Sequence, residues 1–333
     1  MLKYIFRRIL VMIPVVLAIT VIVFWIIQLP PGDYADTHVR QLQAEGESLS
    51  LADQERLRER YGLDQPWYQQ YLTWMWGILT QGDLGYSFAY NRPVTAVIDQ
   101  YMATTLIVAG ASMLFTYLVA IPIGVYSAVK QYSLGDYVFT TIGFLGMATP
   151  NFLLAIILMY LSYVWFGDPM VGLQSPEHAG GEWSLARVLD LLKHLVIPVV
   201  VIGTASTCEL IRVMRGQMLE EMAKPDVVTA RAKGVKESRI LRKYPFRAAV
   251  NPVVSTLGWS LTGIFTGSTI TAIVLNLPTQ GPVMLDALLA QDMYLAGAWL
   301  GFMAILTVIG TLISDILLAW LDPRIRDERI ARS

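Results

Sequence analysis

The chain has 333 residues, of which 55% are hydrophobic and only 15% charged, with a net charge of −1. An ordinary soluble domain carries about 25% charged residues, so this composition excludes that class, and the near-neutral balance leaves no basic footprint for nucleic acid. The single Cys208 excludes an internal disulfide and argues against a cysteine-based zinc cluster.

The chain therefore reads as an integral membrane protein, and Cys208, in an apolar segment, as a small core residue. Lys3, Arg7 and Arg8 precede an apolar run from Ile9 to Leu29. As a helix that run is about 30 Å long, enough to cross the hydrocarbon core. It ends in Gln28-Leu29-Pro30-Pro31-Gly32, a helix stop and not a small-residue cleavage site. The expectation is a retained first span with its amino terminus in the cytoplasm.

Residues 33–101 are polar and roughly charge-balanced. Within them, residues 51–61 have the spacing of a solvated helix. Residues 66–76 follow, with Trp67, Tyr71 and Trp74 on one helical face. Trp and Tyr favour the headgroup zone, so this face rests on a membrane surface, packs beneath the external segment or meets a partner protein. Further spans are expected at about 102–129, 137–166, 188–211, 250–275 and 294–321. Eighteen of the 25 Lys and Arg then fall in segments assigned to the cytoplasm, as the positive-inside bias requires. This gives an all-α protein of about six spans with both termini cytoplasmic. Its parts are 1–29, an extracytoplasmic segment 30–101, a core 102–321 with a polar loop 212–249, and a tail 322–333.

No phosphate-binding G-x-x-x-x-G-K-[ST] loop occurs, so ATP is not expected to bind this chain as it binds a P-loop protein. His38, His178 and His194 lack metal-ligand spacing, and no hydrolase signature is present. The informative groups are polar ones inside apolar runs. Pro150 interrupts the 137–166 span, and Thr149 and Asn151 are placed to satisfy the freed carbonyl or to line a water-filled path. Gly258, Ser260, Thr262, Gly263, Thr266, Gly267, Ser268 and Thr269 form a small-residue run. It suits close helix packing or a pore wall, with Thr262 and Thr266 lining it. Glu209 and Asp315 are ionisable groups within spans. Glu209 lies at helical spacing from Arg212 and Arg215, which predicts a local ion pair; a proton relay through Glu209 or Asp315 is the alternative.

The polar loop carries ten Lys and Arg between Arg212 and Arg247. Pro225 and Asp226 suit a helix start. Val227, Val228, Ala230 and Ala232 give it small apolar faces, and Gly234 suits a C′ stop. A short helix presenting Arg231 and Lys233 fits a groove on a partner. A lipid-facing basic loop explains the charge but not this helix.

Several strings together resemble the integral permease subunits of bacterial ABC importers of the oligopeptide/dipeptide/nickel group. They are Gly82-Asp83-Leu84-Gly85-Tyr86-Ser87-Phe88, Arg92-Pro93-Val94, Thr149-Pro150-Asn151-Phe152, Met218-Leu219-Glu220, Thr229-Ala230-Arg231-Ala232-Lys233-Gly234 and Leu321-Asp322-Pro323-Arg324-Ile325-Arg326. The resemblance implies that residues 226–234 form a coupling helix, with Asp226, Val227, Val228, Ala230, Arg231, Lys233 and Gly234 serving a cytoplasmic ATPase subunit. It also implies a second related permease, two ATPase subunits holding ATP and Mg, and an extracytoplasmic solute-binding protein received by the external segment. This chain itself would carry no cofactor and no catalytic group. Similar members usually carry a Glu where Ala272 stands, before a turn that here reads Leu277-Pro278-Thr279-Gln280-Gly281. The missing acid points toward a neutral or unusual solute, and the solute stays open between a peptide, a nickel complex, an oligosaccharide and another small solute. A stand-alone proton-coupled transporter leaning on Glu209 or Asp315 is the alternative function.

Overall fold

The computed structural model describes residues 2–29, 32, 35–37, 39, 43, 55–56, 58–59, 62–178 and 184–321. The tail 322–333, His38 and most of the helix expected at 51–61 lie outside the described residues, as do the side chains of Lys3, Arg7, Arg8, Thr262 and Thr266. The chain is an all-α membrane protein; among the described residues it has one pair of two-residue strands, Tyr86–Ser87 (β1) and Arg92–Pro93 (β2), running antiparallel.

The helices in chain order are α1 (Leu2–Ile27), α2 (Trp67–Gln81), α3 (Val94–Val129), α4 (Leu134–Ala148), α5 (Asn151–Phe166), α6 (Leu185–Met222), α7 (Pro225–Ala232), α8 (Glu237–Lys243), α9 (Pro245–Ser255), α10 (Leu257–Gly267), α11 (Thr269–Val274), α12 (Gln280–Leu289) and α13 (Met293–Leu321). Among the described residues, Leu10–Ile27, Val94–Val129 and Met293–Leu318 are long and apolar enough to cross a membrane singly.

The span expected at 137–166 is a bent pair, α4 and α5, meeting at 108°. The cause is local: a residue before proline is driven out of the helical region, and Thr149 has φ −86° and ψ 123°. Span 188–211 lies within α6, whose 38 residues also carry Asp190, Lys193, Glu209, Arg212 and Arg215. Span 250–275 is divided among α9, α10 and α11, with breaks at Thr256 and Ser268. Three helices, or four with the bent pair, therefore meet the spanning criterion where six spans were expected.

The chain forms two compact units. The first comprises 1–105 and 279–305, so residues 279–305 join the amino-terminal part. Its core gathers Phe24, Tyr71, Trp74, Phe88, Val97, Leu295 and Trp299. Phe24 stacks on Trp74 at 5.6 Å between centroids and meets Tyr71 edge-on at 5.6 Å. Burying each such side chain contributes about 1.5–3 kcal/mol. Tyr71 and Trp74 thus pack inward in this core, while Tyr68, Leu72, Trp76 and Leu79 form the exposed side of α2. The Gly82–Phe88 string is explained here. Gly82 caps α2, Trp74 Nε1 donates to the Leu84 carbonyl at 2.8 Å, Gly85 N donates to Asp83 Oδ1 at 2.9 Å, and Phe88 is buried.

The second unit comprises 106–278 and 306–333. Its centre is α6, packed against α4, α5 and α9. Ala120, Ala128, Leu210, Met214, Met218, Ala249 and Val253 form one core from α3, α6 and α9. The opposite sides of α4 and α5 expose Ile142, Phe144, Leu145, Ile156, Trp165 and Phe166. An apolar surface of that extent suits lipid and not water.

Candidate functional site

The polar loop is a compact helical device. α7 begins with Pro225 at its first position and Asp226 in its first turn, where a missing amide costs nothing and a negative charge meets the positive helix end. It closes in a Schellman motif: Gly234 N donates to the Arg231 carbonyl at 2.9 Å and Val235 N to the Ala230 carbonyl at 3.2 Å. Gly234 has φ +71°, which a side chain adopts only at a cost. The stop expected from sequence is therefore formed with both of its hydrogen bonds.

The loop residues divide between two faces. Val227 and Ala230 are buried with Ile240 of α8, against Tyr244. Asp226, Val228, Arg231, Ala232, Lys233 and Gly234 are exposed. Arg231 does not project freely, because it is clamped to Glu237 by Nε at 3.2 and 3.1 Å and by Nη2 at 2.6 Å. The shared hydrogen bonds raise the Arg231 pKa and lower that of Glu237. Arg231 thus braces α7 against α8, leaving Asp226, Val228, Lys233 and Lys236 among the outward groups. Lys224, at the entrance to α7, is held by Glu221 at 2.7 Å.

The device is seated on a closely packed helical hairpin. α6 ends at Met222 just before it and α9 begins at Pro245 just after it. The pair is closed by Met214, Met218, Ala249 and Val253, all with no exposed surface.

The four residues expected along a pathway have separate fates. Thr149 Oγ1 donates to the Leu145 carbonyl at 2.8 Å, so it satisfies its own helix end. Asn151, half-buried, opens α5. Thr262 and Thr266 lie on α10, and their side chains are outside the described residues. Gly258 of the small-residue run packs against backbone: a Cβ there would lie 2.5 Å from Thr311 N. Ala272 is buried in α11, and Cys208 is buried as expected.

Sequence reasoning missed one contact. Arg215 does not pair with Glu209; its guanidinium goes to Asp136 at the start of α4, with Nε at 3.1 Å and Nη2 at 3.0 Å. The available signal was Ser133-Leu134-Gly135-Asp136, a capping pattern, and Ser133 Oγ does accept from Asp136 N at 3.3 Å.

Residues 120–327, which contain this whole device, match the family described as binding-protein-dependent transport system inner membrane component. The chain belongs to that family. Residues 1–109 match the amino-terminal region of such membrane components. Among relatives of this inner-membrane component, the oligopeptide transport system permease protein AppB of Bacillus subtilis (strain 168) is 35% identical over 329 residues, covering 98% of this chain and 99% of that one. A putative peptide permease of Brucella ovis is 32% identical, over 98% and 99% of the two chains. The dipeptide transport system permease protein DppB of Escherichia coli (strain K12) is 29% identical, over 99% and 100%. A membrane component of this family is a permease part and not a catalyst.

Proposed function

We propose that this chain is the permease subunit of a peptide-type ABC importer and forms half of a translocation pathway for a small peptide-like solute. Membership of a binding-protein-dependent transport family and the names of three full-length relatives support the class. The observation that carries the mechanism is the Schellman-closed helix α7, braced by Arg231–Glu237 and seated on the α6–α9 hairpin. An element that is stiff, exposed at its tip and rooted in two buried methionines can transmit a push.

In this reading, 225–243 docks into a cytoplasmic ATPase subunit, with Asp226, Val228 and Lys233 toward it and Val227 and Ala230 holding the helix. Two such subunits supply ATP and Mg; this chain holds neither. A second related permease completes the pathway, a solute-binding protein delivers the solute outside, and both termini are cytoplasmic. ATP-driven closure of the ATPases displaces α7, and α6 and α9 follow, biasing outward- and inward-facing states.

Gly234→Trp tests the reading. ATP-dependent uptake by the assembled importer should fall at least tenfold while membrane insertion is unchanged. Full uptake in that variant would overturn the coupling role of α7.

A further inference from the structure

α6 has one face that fits neither lipid nor the core. Val201, Ile202, Thr207, Cys208, Leu210, Met214 and Met218 are buried. Ala205, Glu209, Arg212, Gly216 and Glu220 follow the 3–4 spacing of the opposite side, where Glu209, Arg212, Gly216 and Glu220 are exposed. A Cβ at Gly216 would meet nothing within 4 Å. By contrast, the exposed side of α4 is Ile142, Phe144 and Leu145.

The depth of Glu209 follows from its neighbour. Gly146 of α4 packs against Thr204 and Cys208, where a Cβ would lie 2.8 and 3.1 Å from their side chains. Gly146 is about 18 Å along α4 from Leu134 by helix rise, and Glu209 is about 21 Å from the C-cap at Ala223. A hydrocarbon core is about 30 Å thick. Glu209 therefore sits at the level of the lipid-facing belt of α4, where an isolated carboxylate is expensive and demands water or a partner. Among the described residues it has no ion pair, with Arg212 or any other group, and Arg215 is bound to Asp136 on another side of the helix.

We infer that Glu209 faces the aqueous solute pathway and receives the cationic amino terminus of the peptide, with Arg212 one turn away as the group for its carboxylate end. The inference rests on the permease reading above. An acid and a base three residues apart lie about 4.5 Å along the axis, and their long side chains, splayed apart, span the roughly 10 Å between the ends of an extended tripeptide; a neutral solute would use neither charge.

The test uses the complete importer in proteoliposomes. Cys208 is first replaced by Ala, and Glu209→Cys is then probed with a water-soluble cationic methanethiosulfonate, with trialanine as the transported probe. The expected result is rapid labelling that trialanine slows, together with at least a tenfold loss of trialanine uptake in E209Q and substantial retention in E209D. No labelling of E209C where G216C is labelled, or unchanged uptake in E209Q, would overturn the assignment. A wild-type importer that carries no peptide would sink the peptide reading instead, while E209C labelling would still report whether the face is wet.

Discussion

Arg215 of α6 grips Asp136 of α4 with two hydrogen bonds, at 3.1 and 3.0 Å, and Tyr132 N donates to the same carboxylate at 2.9 Å. The Asp136 side chain is only 4% exposed while Arg215 is 28% exposed, so the acid is the member that suffers when the pair is broken. Burying a carboxylate without its donors is what makes such a loss large. Arg215→Gln is expected to cost about 2 kcal/mol, measured by thermal unfolding in detergent. Arg215→Lys should recover part of it, since an ammonium lacks the planar fork that fits both oxygens. The pair also ties α6, which leads into α7, to the bent α4–α5 pair. R215Q should therefore lower uptake more than it lowers ATPase activity.

This pair shows where the sequence was legible and where it was not. The α7 start at Pro225 and the Gly234 stop depend on residues adjacent in the chain, and both are present as the sequence predicts. The packing of Tyr71 and Trp74 followed from helical spacing, though spacing could not choose between membrane surface and core. The partner of Arg215 could not be read, because Asp136 is 79 positions away and helical periodicity sees only neighbours three or four residues apart. The division of 250–275 into three helices was hidden for a similar reason: its breaks fall at Thr256 and Ser268 and not at a proline or glycine.

The Arg231–Glu237 clamp carries a pH expectation. Its hydrogen bonds lower the Glu237 pKa below the ordinary 4.5. A depressed acid contributes stability that is complete above its unfolded pKa and is lost as pH falls through the folded value. Docking of the ATPase subunit should therefore be flat with pH above about 5.5. Glu237→Gln should weaken docking, measured by co-purification, and the exchange R231E/E237R should restore it. Both groups are well exposed, so the effect on global stability should be small.

Asp292 in the first unit has the opposite sign. It is fully buried and its pKa is raised by burial, against hydrogen bonds from Ser87 Oγ at 2.6 Å, Ala89 N at 3.1 Å and Leu295 N at 3.1 Å. A raised acid contributes stability present below its unfolded pKa and lost as pH rises through the folded value. Ser87→Ala removes one donor from the buried carboxylate, at a cost of about 1–3 kcal/mol. That cost should be larger at pH 8 than at pH 3, where the raised folded value keeps the group protonated and the unfolded group is mostly protonated too. Hydrogen exchange of residues 84–94 at the two pH values checks it. An equal effect at both would mean that Asp292 stays neutral throughout.

The small-residue run offers the sharpest test of packing against pore wall, because its glycines stand in different surroundings. A Cβ at Gly258 would lie 2.5 Å from Thr311 N and 2.7 Å from Gly310 C, both backbone atoms of α13 that cannot swing aside. A Cβ at Gly263 would meet nothing within 4 Å. Overpacking of a tight site costs about 1–3 kcal/mol, whereas alanine in an open helical position gains up to about 1 kcal/mol over glycine. Gly258→Ala should therefore lower the unfolding temperature and Gly263→Ala should hold or raise it. If the run served only to line an open path, the two substitutions would behave alike. The α10–α13 contact at Gly258 predicts that they do not.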